Sequence, residues 1–498
     1  MDEKRIHFIG ICGVAMSALA VAMKKNGHVK LPDGRHVTSW AVTGSDRGFY
    51  PPVSICLKDA GIEYYPGWHV DLMTKDGVPD LVVVGNVAGS HNPEWLYVKD
   101  HDIPYVSYPE LIAKYFVRPN SIVCAGTFGK TTSAALLTWI LKENGYDPSY
   151  MFGGVSLNEM DSAAFTDSSY SILEGDEYKT SSWDPRPKFA HYSPTHLLLT
   201  SVEWDHADVY PKESLYVDAF KSLIERIPQA GLLVLSEKVS KIKRSEDQKI
   251  ITYGHNNPNY RITELPNYCY MNVQTSKSGI SFDILHNEQT YHIATPLLGD
   301  YMADNITGCF AMAHQIGIKP EGIIKAIESF KSIKRRLEKR LDGPITIFDD
   351  IAHSPAKSKA VLASLRKLYD GKIIAVFEPN TGNRKKESFP SYDQAFNSAD
   401  IVIIPRLTSV KIAADDPSPP VEGDALADAI KKTHKNVRYI DDDEKLVQYI
   451  IDDIRDGDVV VFLGSHGFRG MIEQLCLSFR GVIDEESLDA PRIPFSEA

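Results

Sequence analysis

Short apolar runs alternate with longer amphipathic stretches along most of the chain, a pattern typical of the strands and helices of an α/β protein. The first pair is an apolar run over 6–9 and a helical stretch over 18–26, with a turn of small residues between them. The last third repeats this alternation, with predicted strands over 345–348, 372–377, 401–404, 437–440 and 459–463. The pattern therefore predicts parallel sheets covered by helices.

The middle of the chain carries the strongest local signal. An apolar strand over 121–125 breaks into a turn of small residues and resumes as a helix over 133–144, which Gly145 ends. The later elements that the pattern predicts are strands over 171–174 and 196–200, a β-rich stretch over 232–300 and a helix over 299–317.

The length of 498 residues corresponds to about three domains of ~150 residues, each large enough to bury its own core. The composition shifts predict domains over 1–118, 119–337 and 338–498. The expected fold class is α/β throughout, with Rossmann-like first and third domains around a central phosphate-loop (P-loop) domain. The polar stretch 31–40 of the first domain is predicted to form a hairpin insertion.

Charge and composition exclude several classes of protein. The net charge of −12, from 54 basic and 66 acidic residues, argues against a large nucleic-acid interface, which needs clustered positive charge. Six cysteines are scattered without a C-x-x-C pair, so neither a disulfide framework nor a zinc site is indicated. No apolar run approaches the ~20 residues that span a bilayer. We therefore expect a cytoplasmic protein without membrane insertion.

The central strand, turn and helix have the residues that a polyphosphate requires. Gly126 and Gly129 allow backbone amides to approach phosphate oxygens, and the helix N-terminus faces the anion. Lys130 supplies a positive charge and Thr131 a hydroxyl for Mg²⁺. The motif departs from G-x-x-x-x-G-K-[ST] because Cys124 replaces the first glycine. The alternative is an ordinary strand-to-helix turn with a solvated lysine, but the order of elements favours an ATP-phosphate loop.

A second turn with glycines follows the first strand. Gly10 and Gly13 lie in the run 10–17, which enters a helix and so suits a diphosphate. The spacing fits G-x-x-G-x-A better than the dinucleotide pattern, and a purely structural turn remains an equal alternative. The strand over 80–86 and the loop over 91–94 also end where open α/β sheets bind ligands.

Acidic residues follow two strands of the central domain. Glu174, Asp176 and Glu177 follow the first of these strands, and His206 lies in the run 205–208 after the second. A carboxylate and a histidine near a P-loop could ligate Mg²⁺ together with Thr131. The alternative is that these are solvated loop residues, and the nearby P-loop favours the metal.

Two strand ends of the third domain carry side chains suited to binding or catalysis. These are aspartate, histidine and serine at 349–355, and serine, histidine and arginine at 464–470. The loops over 378–391 and 414–423 are rich in proline, glycine and lysine, which is typical of mobile covers. A basic cluster over 330–337 precedes this domain, and its simplest interpretation is a charged helix end.

These motifs together resemble the Mur ligase family, and the resemblance covers nearly the whole chain. The strings that carry it are 6–13, 43–46, 50–52, 126–132, 174–178, 188–192, 205–208, 334–338 and 349–350 with His353 and Pro355. Several of them resemble the branch of the family that attaches a preformed muropeptide more than the alanine-adding branch.

The resemblance implies a role for each matching residue. Lys130, Glu174 and His206 would be catalytic, and Thr131, Glu174 and His206 would hold Mg²⁺. ATP would be bound by Gly126, Thr127, Gly129, Lys130, Thr131, Thr132, Asn305, Arg335, Arg336 and Asp350, with Asn305 at the adenine, an arginine at the γ-phosphate and Asp350 at the ribose. UDP-N-acetylmuramate and the amine would be bound by Gly10, Gly13, Ala15, Met16, Ser17, Asp46, Asn86, His353 and Arg384.

The resemblance also implies the reaction. The lactyl carboxylate of UDP-N-acetylmuramate would attack the γ-phosphate of ATP, and the amine of L-Ala-γ-D-Glu-meso-diaminopimelate would attack the resulting acyl phosphate. The alternative amine is L-alanine or another amino acid. The chain departs from the family at Phe128, Tyr301, Met302, Ser332 and Ser354, and the changes at 301 and 302 alter the expected adenine contacts. Lys221 is a possible counterpart of the carbamylated lysine of some relatives, although a plain helix lysine is the favoured interpretation.

Two other classes of protein remain as hypotheses. A Rossmann oxidoreductase would explain the first domain but would leave the P-loop and metal residues without a role. A regulatory P-loop ATPase would explain only the central domain, and it would release phosphate without any amine. The oligomeric state and the third residue of the peptide do not follow from the sequence.

Overall fold

The computed structural model describes residues 4–25, 29–30, 36–37, 40–49, 53–204, 209–239, 242, 248–256, 265–409 and 418–480. The chain forms two compact units. The first comprises Met1–Gln274, Ser281–Pro296 and Tyr301–Ser332, and the second comprises Thr275–Ile280, Leu297–Asp300 and Ile333–Ala498. The predicted boundaries at 118/119 and 337/338 stay predictions. Within the described ranges, none of the helices combines the length and apolar character that a membrane crossing needs.

The amino-terminal part of the first unit is a parallel sheet of five strands in the order β5-β4-β1-β6-β7. Its elements are β1 (Lys4–Ile9), α1 (Val14–Lys25), β2 (Val29–Lys30), β3 (His36–Val37), β4 (Trp40–Asp46), α2 (Val53–Asp59), β5 (Glu63–Pro66), α3 (Val70–Thr74), β6 (Leu81–Val84), α4 (Pro93–Asp100), β7 (Tyr105–Ser107) and α5 (Tyr108–Tyr115).

The order of these strands positions the first glycine turn. Strand β1 lies between β4 and β6, so the turn after β1 meets the carboxyl ends of both neighbours. Ligands bind at such switch points because the two crossover helices leave a crevice there. Strands β2 and β3 pair antiparallel, within the region of the predicted hairpin, but residues 31–35 and 38–39 lie outside the described ranges.

The rest of the first unit is built on a sheet with the order β10-β9-β11-β8-β12-β13-β14-β15-β16-β17. Its elements are β8 (Asn120–Ala125), α6 (Lys130–Glu143), β9 (Ser149–Met151), β10 (Ala163–Ala164), β11 (Tyr170–Gly175), β12 (His196–Leu199), α7 (Glu213–Glu225), β13 (Leu232–Ser236), β14 (Lys249–His255), β15 (Tyr268–Ser276), β16 (Gly279–His286), β17 (Gln289–Thr295), α8 (Met302–Gln315) and α9 (Pro320–Ser329).

The core of this sheet explains why the P-loop lies where it does. Strands β11, β8 and β12 are parallel neighbours, and the apolar side chains of β8 from Ile122 to Ala125 are fully buried. Helix α6 covers them and begins at Lys130, three residues earlier than the pattern predicted. The predicted β-rich stretch is confirmed as β13 to β17.

The second unit contains a sheet with the order β18-β19-β23-β20-β21-β22. Its elements are β18 (Glu338–Asp342), β19 (Thr346–Asp350), α10 (Pro355–Arg366), β20 (Ile373–Glu378), β21 (Ile401–Pro405), α11 (Gly423–Lys431), β22 (Val437–Ile440), α12 (Asp443–Asp453), β23 (Val459–Gly464) and α13 (Met471–Arg480). The five predicted strands are confirmed and are mutually parallel. The pattern missed β18, an antiparallel edge strand, because its charged sequence lacks an apolar run.

Helix α9 ends at Ser329, so the interpretation of the basic cluster 330–337 as a charged helix end was wrong. Ser332, Arg335 and Leu337 have positive φ angles of 86°, 61° and 46°. Such angles are uncommon for residues with a Cβ, and they show that this segment turns sharply rather than continuing the helix.

Candidate functional site

The P-loop joins β8 to α6 through two glycines with positive φ, 136° at Gly126 and 79° at Gly129. A Cβ at Gly126 would collide with the hydroxyl of Thr200 and the backbone of Ser201. The amide of Thr127 donates to the Ser201 carbonyl at 3.1 Å, and the amide of Phe128 donates to the Ser201 hydroxyl at 3.1 Å. The end of β12 therefore fixes the first half of the loop.

The second half of the loop is open toward an anion. The first hydrogen bond of α6 runs from the Ser133 amide to the Gly129 carbonyl at 2.8 Å, so the preceding amides face out of the helix N-terminus, where anions bind. A Cβ at Gly129 would collide with Oδ1 of Asn305, which is 8% exposed on α8. Asn305 thus packs on the P-loop, and its predicted contact with adenine stays a prediction.

Lys130 is bound back into the loop by two carbonyls and one carboxylate. Its Nζ donates to the Gly126 carbonyl at 2.7 Å and the Thr127 carbonyl at 3.3 Å, and it lies 3.0 Å from Oε2 of Glu177. Burial lowers the pKa of Lys130, but the charges of Glu177, Asp176 and Glu174 raise it above its ordinary value. The lysine is therefore held charged beside the anion cradle.

Thr131 and Glu174 are brought together, as predicted. The Thr131 hydroxyl donates to Oε1 of Glu174 at 2.7 Å, and Oε2 of Glu174 accepts from the Gly153 amide at 2.6 Å. A hydroxyl and a carboxylate are the hard oxygen ligands that Mg²⁺ prefers, so this pair fits that ion. Within the described residues, no group of three histidine, cysteine, aspartate or glutamate side chains is arranged to hold a metal. His206, the other predicted ligand, lies outside those ranges.

Glu177 is a residue whose role the pattern did not predict. It is 1% exposed, its Oε1 accepts from Lys130 at 3.1 Å, and Tyr216 on α7 donates to the same oxygen at 3.3 Å. Tyr216 also shares a 2.9 Å hydrogen bond with the hydroxyl of Thr127. The only signal in the sequence is that Glu177 follows Glu174 at the same strand end.

A second, partly buried ion pair lies next to the first. Lys188 and Asp176 are in contact, and the ammonium of Lys188 lies over the rings of Tyr108 and Tyr178 at 5.3 and 5.6 Å. Burial raises the pKa of Asp176, but Lys188 and Lys130 outweigh it and lower that pKa to about 2. Asp176, at the end of β11, therefore stays ionised at neutral pH.

Other predicted residues of this unit have structural contacts. Thr132 is buried in α6. Lys221, on α7, is 45% exposed and its Nζ lies 2.8 Å from Asp218 one turn earlier, which is an ordinary surface pair. This geometry agrees with the interpretation of Lys221 as a plain helix lysine.

The glycine turn of the first sheet is held by the end of β4. Gly10 has a φ of 89°, and a Cβ there would collide with Val87. The amides of Gly10 and Ile11 donate to the Ser45 carbonyl at 2.8 and 3.1 Å. Asp46 accepts the amide of Cys12 at 2.8 Å, so the structure gives Asp46 a role in shaping the turn.

The remaining predicted residues of this turn differ in exposure. Gly13 and Asn86 are exposed, Ala15 is half-buried, and Met16 and Ser17 are buried. Any contact of Met16 with a diphosphate would therefore come from its backbone amide. The Ser17 amide already donates to the Gly13 carbonyl at 2.8 Å.

In the second unit, Arg335 donates to the carbonyls of Gly464, Ser465 and His466 at 2.6, 3.1 and 2.7 Å. Its Nε also donates to Asp349 at 3.2 Å. These contacts anchor the segment after 332 to the end of β23. The predicted contact of Arg335 with the γ-phosphate stays a prediction.

Asp350 is 5% exposed and accepts the amides of Leu337 and Ala352 at 2.7 and 2.8 Å. Burial raises its pKa, and the charge of Arg336 opposes that shift. A ribose hydroxyl would have to share an oxygen that already accepts an amide. The roles of Asp350 and Arg336 toward ATP stay predictions.

The two substrate residues predicted in the second unit have different surroundings. His353 is half-buried, and its Nδ1 lies 2.7 Å from the Ile351 carbonyl. The side chain of Arg384 is 4% exposed and donates to the carbonyls of Val421 and Thr408 at 3.1 and 2.8 Å. Arg384 therefore braces two loops, and its predicted contact with substrate stays a prediction.

Comparisons with known proteins cover most of the chain. Residues 5–118 match the Mur ligase family catalytic domain, residues 124–313 the Mur ligase middle domain, and residues 335–466 the Mur ligase glutamate ligase domain.

Three relatives illustrate the similarity. An Escherichia coli UDP-N-acetylmuramate–L-alanyl-γ-D-glutamyl-meso-2,6-diaminoheptandioate ligase is 33% identical over 76% of this chain and 80% of its own length. An Agrobacterium fabrum UDP-N-acetylmuramate–L-alanine ligase is 29% identical over 92% of this chain and 93% of its own. The crystal structure of a murein peptide ligase from Psychrobacter arcticus superimposes with a TM-score of 0.68 at 25% identity, covering 95% of this chain and 98% of that one.

Proposed function

The chain belongs to the Mur ligase family of ATP-dependent amide ligases, and on that premise we propose that it joins L-Ala-γ-D-Glu-meso-diaminopimelate to UDP-N-acetylmuramate. The observation that supports a ligase of this kind is that two strand-to-helix turns with glycines occur in one chain, and we take each as a cradle for an anion. One is the P-loop with Thr131 on Glu174, and the other is the turn of Gly10 at the switch point of the first sheet. Two phosphorylated substrates need two such cradles.

The choice of amine rests on relatives. The muropeptide ligases of Escherichia coli and Haemophilus influenzae are 33% and 32% identical to this chain. The second candidate function is the ligation of L-alanine. It is favoured by the alanine ligase of Agrobacterium fabrum, whose similarity covers 92% of this chain rather than about three quarters.

The proposed reaction begins with transfer of the γ-phosphoryl group of ATP to the lactyl carboxylate of UDP-N-acetylmuramate. The amine then attacks the acyl carbon, and phosphate leaves. Phosphoryl transfer is catalysed mainly by positioning and by neutralisation of charge. Lys130 would supply the mobile positive charge, and the amides at the start of α6 would orient the phosphate oxygens.

Mg²⁺, held by Thr131 and Glu174, would neutralise phosphate charge during transfer. The chain's own contribution is to keep these two side chains in place. The Gly153 amide at 2.6 Å fixes one oxygen of Glu174 and the Thr131 hydroxyl fixes the other. Asn305 closes the P-loop over Gly129, so a nucleotide would meet a preformed site.

ADP release in the presence of ATP, Mg²⁺ and UDP-N-acetylmuramate tests the proposal, with the tripeptide and L-alanine compared as amines. We expect turnover with the tripeptide and little with L-alanine. Turnover with L-alanine alone would establish the second candidate function. Phosphate release that needs no amine would overturn both and leave a P-loop ATPase. The Lys130→Ala enzyme serves as the blank, because it loses the phosphate contact.

A further inference from the structure

The sheet of the first domain buries a cluster of ionisable side chains that the proposed reaction does not use. His7 on β1, Ser45 on β4 and Glu94 on α4 are each 0% exposed. Buried carboxylates are rare unless they are paired or hydrogen-bonded. Within the cluster, Ser45 lies next to the carboxyl end of β4 and contacts the glycine turn.

Glu94 is satisfied from several elements. Its Oε2 accepts from the Ser45 hydroxyl at 2.5 Å and lies 3.7 Å from Nε2 of His7. Its Oε1 accepts from the Tyr65 hydroxyl at 3.2 Å and from the His69 amide at 2.8 Å. Burial raises the pKa of Glu94, but the hydrogen bonds and charge of His7, with Ser45 and the His69 amide, lower it below its ordinary value.

His7 completes the cluster from the central strand. Its Nδ1 lies 2.8 Å from the Thr43 hydroxyl, and its ring stacks on Tyr65 with centroids 5.8 Å apart. Strands β1, β4 and β5 and helix α4 are therefore joined through one carboxylate. A fully satisfied polar network of this kind fixes the relative positions of its members.

One residue connects this cluster to the glycine turn. The side chain of Ser45 is bound to Glu94, and its carbonyl accepts the amides of Gly10 and Ile11 at 2.8 and 3.1 Å. The next residue, Asp46, accepts the amide of Cys12 at 2.8 Å. A shift of Ser45 would thus move three successive amides of the turn.

We propose that Glu94 is a positioning residue for UDP-N-acetylmuramate, acting through Ser45 to hold the glycine turn in the shape that receives the diphosphate. The inference rests on the proposed function of that turn. Glu94 itself is too deeply buried to touch the substrate, so its effect is on binding rather than on phosphoryl transfer.

The test is calorimetric binding of UDP-N-acetylmuramate, without ATP, to wild type and to Glu94→Gln. The carboxylate accepts hydrogen bonds at both oxygens, whereas the glutamine amide has only one acceptor oxygen and a nitrogen that donates. The network therefore loses a charge-assisted hydrogen bond. We expect affinity to fall at least about tenfold. In steady-state assays, KM for UDP-N-acetylmuramate should rise by a similar factor, while kcat and KM for ATP stay within about twofold.

Glu110→Gln is the matched control. Glu110 accepts from the Ser107 amide and hydroxyl at 2.7 Å each, so it is another hydrogen-bonded carboxylate of the same domain, at the start of α5. If Glu110→Gln weakens the binding of UDP-N-acetylmuramate as much as Glu94→Gln does, the effect is general destabilisation and the inference is overturned. An equal rise in KM for ATP would overturn it for the same reason.

Ser45→Ala provides a second variant that keeps the packing if Glu94→Gln fails to fold. It removes only the hydroxyl that links Glu94 to the turn, and we expect weaker binding of UDP-N-acetylmuramate with ATP binding preserved. Unchanged binding in Ser45→Ala would overturn the inference. Wild-type enzyme that binds neither UDP-N-acetylmuramate nor UDP would instead overturn the proposed function, and the inference with it.

Discussion

Lys130 and Glu177 form a nearly buried ion pair at the P-loop, with Nζ 3.0 Å from Oε2 and side chains 14% and 1% exposed. The lysine also donates to the Gly126 carbonyl at 2.7 Å. The carboxylate comes from the end of β11, the strand next to the one that leads into the loop. The pair therefore ties the phosphate-binding lysine to the strand end that carries Glu174.

Replacement of Lys130 by alanine should abolish ligation. The P-loop lysine neutralises charge on the transferring phosphoryl group, and its loss is expected to lower kcat/KM for ATP by about 100-fold or more. Lys221→Ala is the control, because that lysine forms only an exposed pair on α7. Near-normal ADP release by Lys130→Ala, or a comparable loss in Lys221→Ala, would contradict the assignment.

Glu177→Gln should shift the alkaline limb of the pH profile. The charge of Glu177 raises the pKa of Lys130 against the effect of burial, so the neutral glutamine leaves burial less opposed and the pKa falls. We expect the decline of kcat/KM for ATP at high pH to begin at a lower pH than in wild type. Coincident profiles for the two enzymes would show that the pair does not control the charge of the lysine.

Glu174→Gln should raise the Mg²⁺ requirement. The carboxylate is fixed by Thr131 and by the Gly153 amide, and an amide oxygen is a weaker ligand for a hard cation. ADP release measured against Mg²⁺ concentration should saturate at a concentration about tenfold or more higher. Glu143→Gln, at the carboxyl end of α6, serves as the control and should follow the wild-type curve.

Gly129→Ala should impair ATP binding more than backbone strain alone explains. The residue has a φ of 79°, and the new Cβ would collide with Asn305. Gly145→Ala is a matched control on the same helix, since Gly145 has a φ of 80° with nothing within 4 Å. Both variants incur about 1 kcal/mol of strain, but only Gly129→Ala should raise KM for ATP. Equal KM values would rule out the packing of Asn305 on the loop.

Protonation of Asp176 should lower the free energy of unfolding in acid. Its pKa is lowered from 3.8 to about 2, chiefly by Lys188 and Lys130 against the opposing effect of burial. A lowered pKa adds stability that is complete above about pH 4 and is lost as the pH falls through about 2. Because the side chain is 33% exposed, we expect a contribution of about 1–2 kcal/mol.

Urea unfolding at pH 5 and at pH 2.5 tests this expectation in wild type and Asp176→Asn. The free energy of unfolding should fall less between these values in the variant, by about two thirds of that contribution, because pH 2.5 still lies above the folded pKa of about 2. Asp161→Asn is a suitable comparison, because Asp161 pairs with Lys25 at 2.8 Å with both side chains about half exposed. A pH dependence that Asp176→Asn leaves unchanged would contradict the prediction.

Much of the fold follows from local pattern. Most parallel strands of the three larger sheets are short apolar runs, and glycines separate β1 from α1 and β8 from α6. Such signals are local because burial on both faces of a parallel strand needs a continuous apolar run. The pattern failed at β18, whose residues are mostly charged. It also failed at 330–337, where the basic residues suggested a helix end but positive φ angles at Ser332, Arg335 and Leu337 turn the chain instead.

The candidate site divides in the same way. The P-loop residues and Glu174 were predicted, because strand, turn and helix are contiguous in the sequence. The partners that hold them were not. Glu177 lies 47 residues from Lys130, Asn305 packs on Gly129 from another helix, and the role of Arg384 as a brace became visible only from its contacts.

The sequence by itself determined the order of the elements, the P-loop and the family resemblance, because each depends on residues that are neighbours in the chain. Only the tertiary structure decided which side chains lie against these motifs. Lys130 on Glu177, Asn305 on Gly129 and Glu94 on Ser45 are contacts between separate elements. They depend on how strands are ordered in a sheet and how helices pack on it, and that information is not contained in any single stretch of sequence.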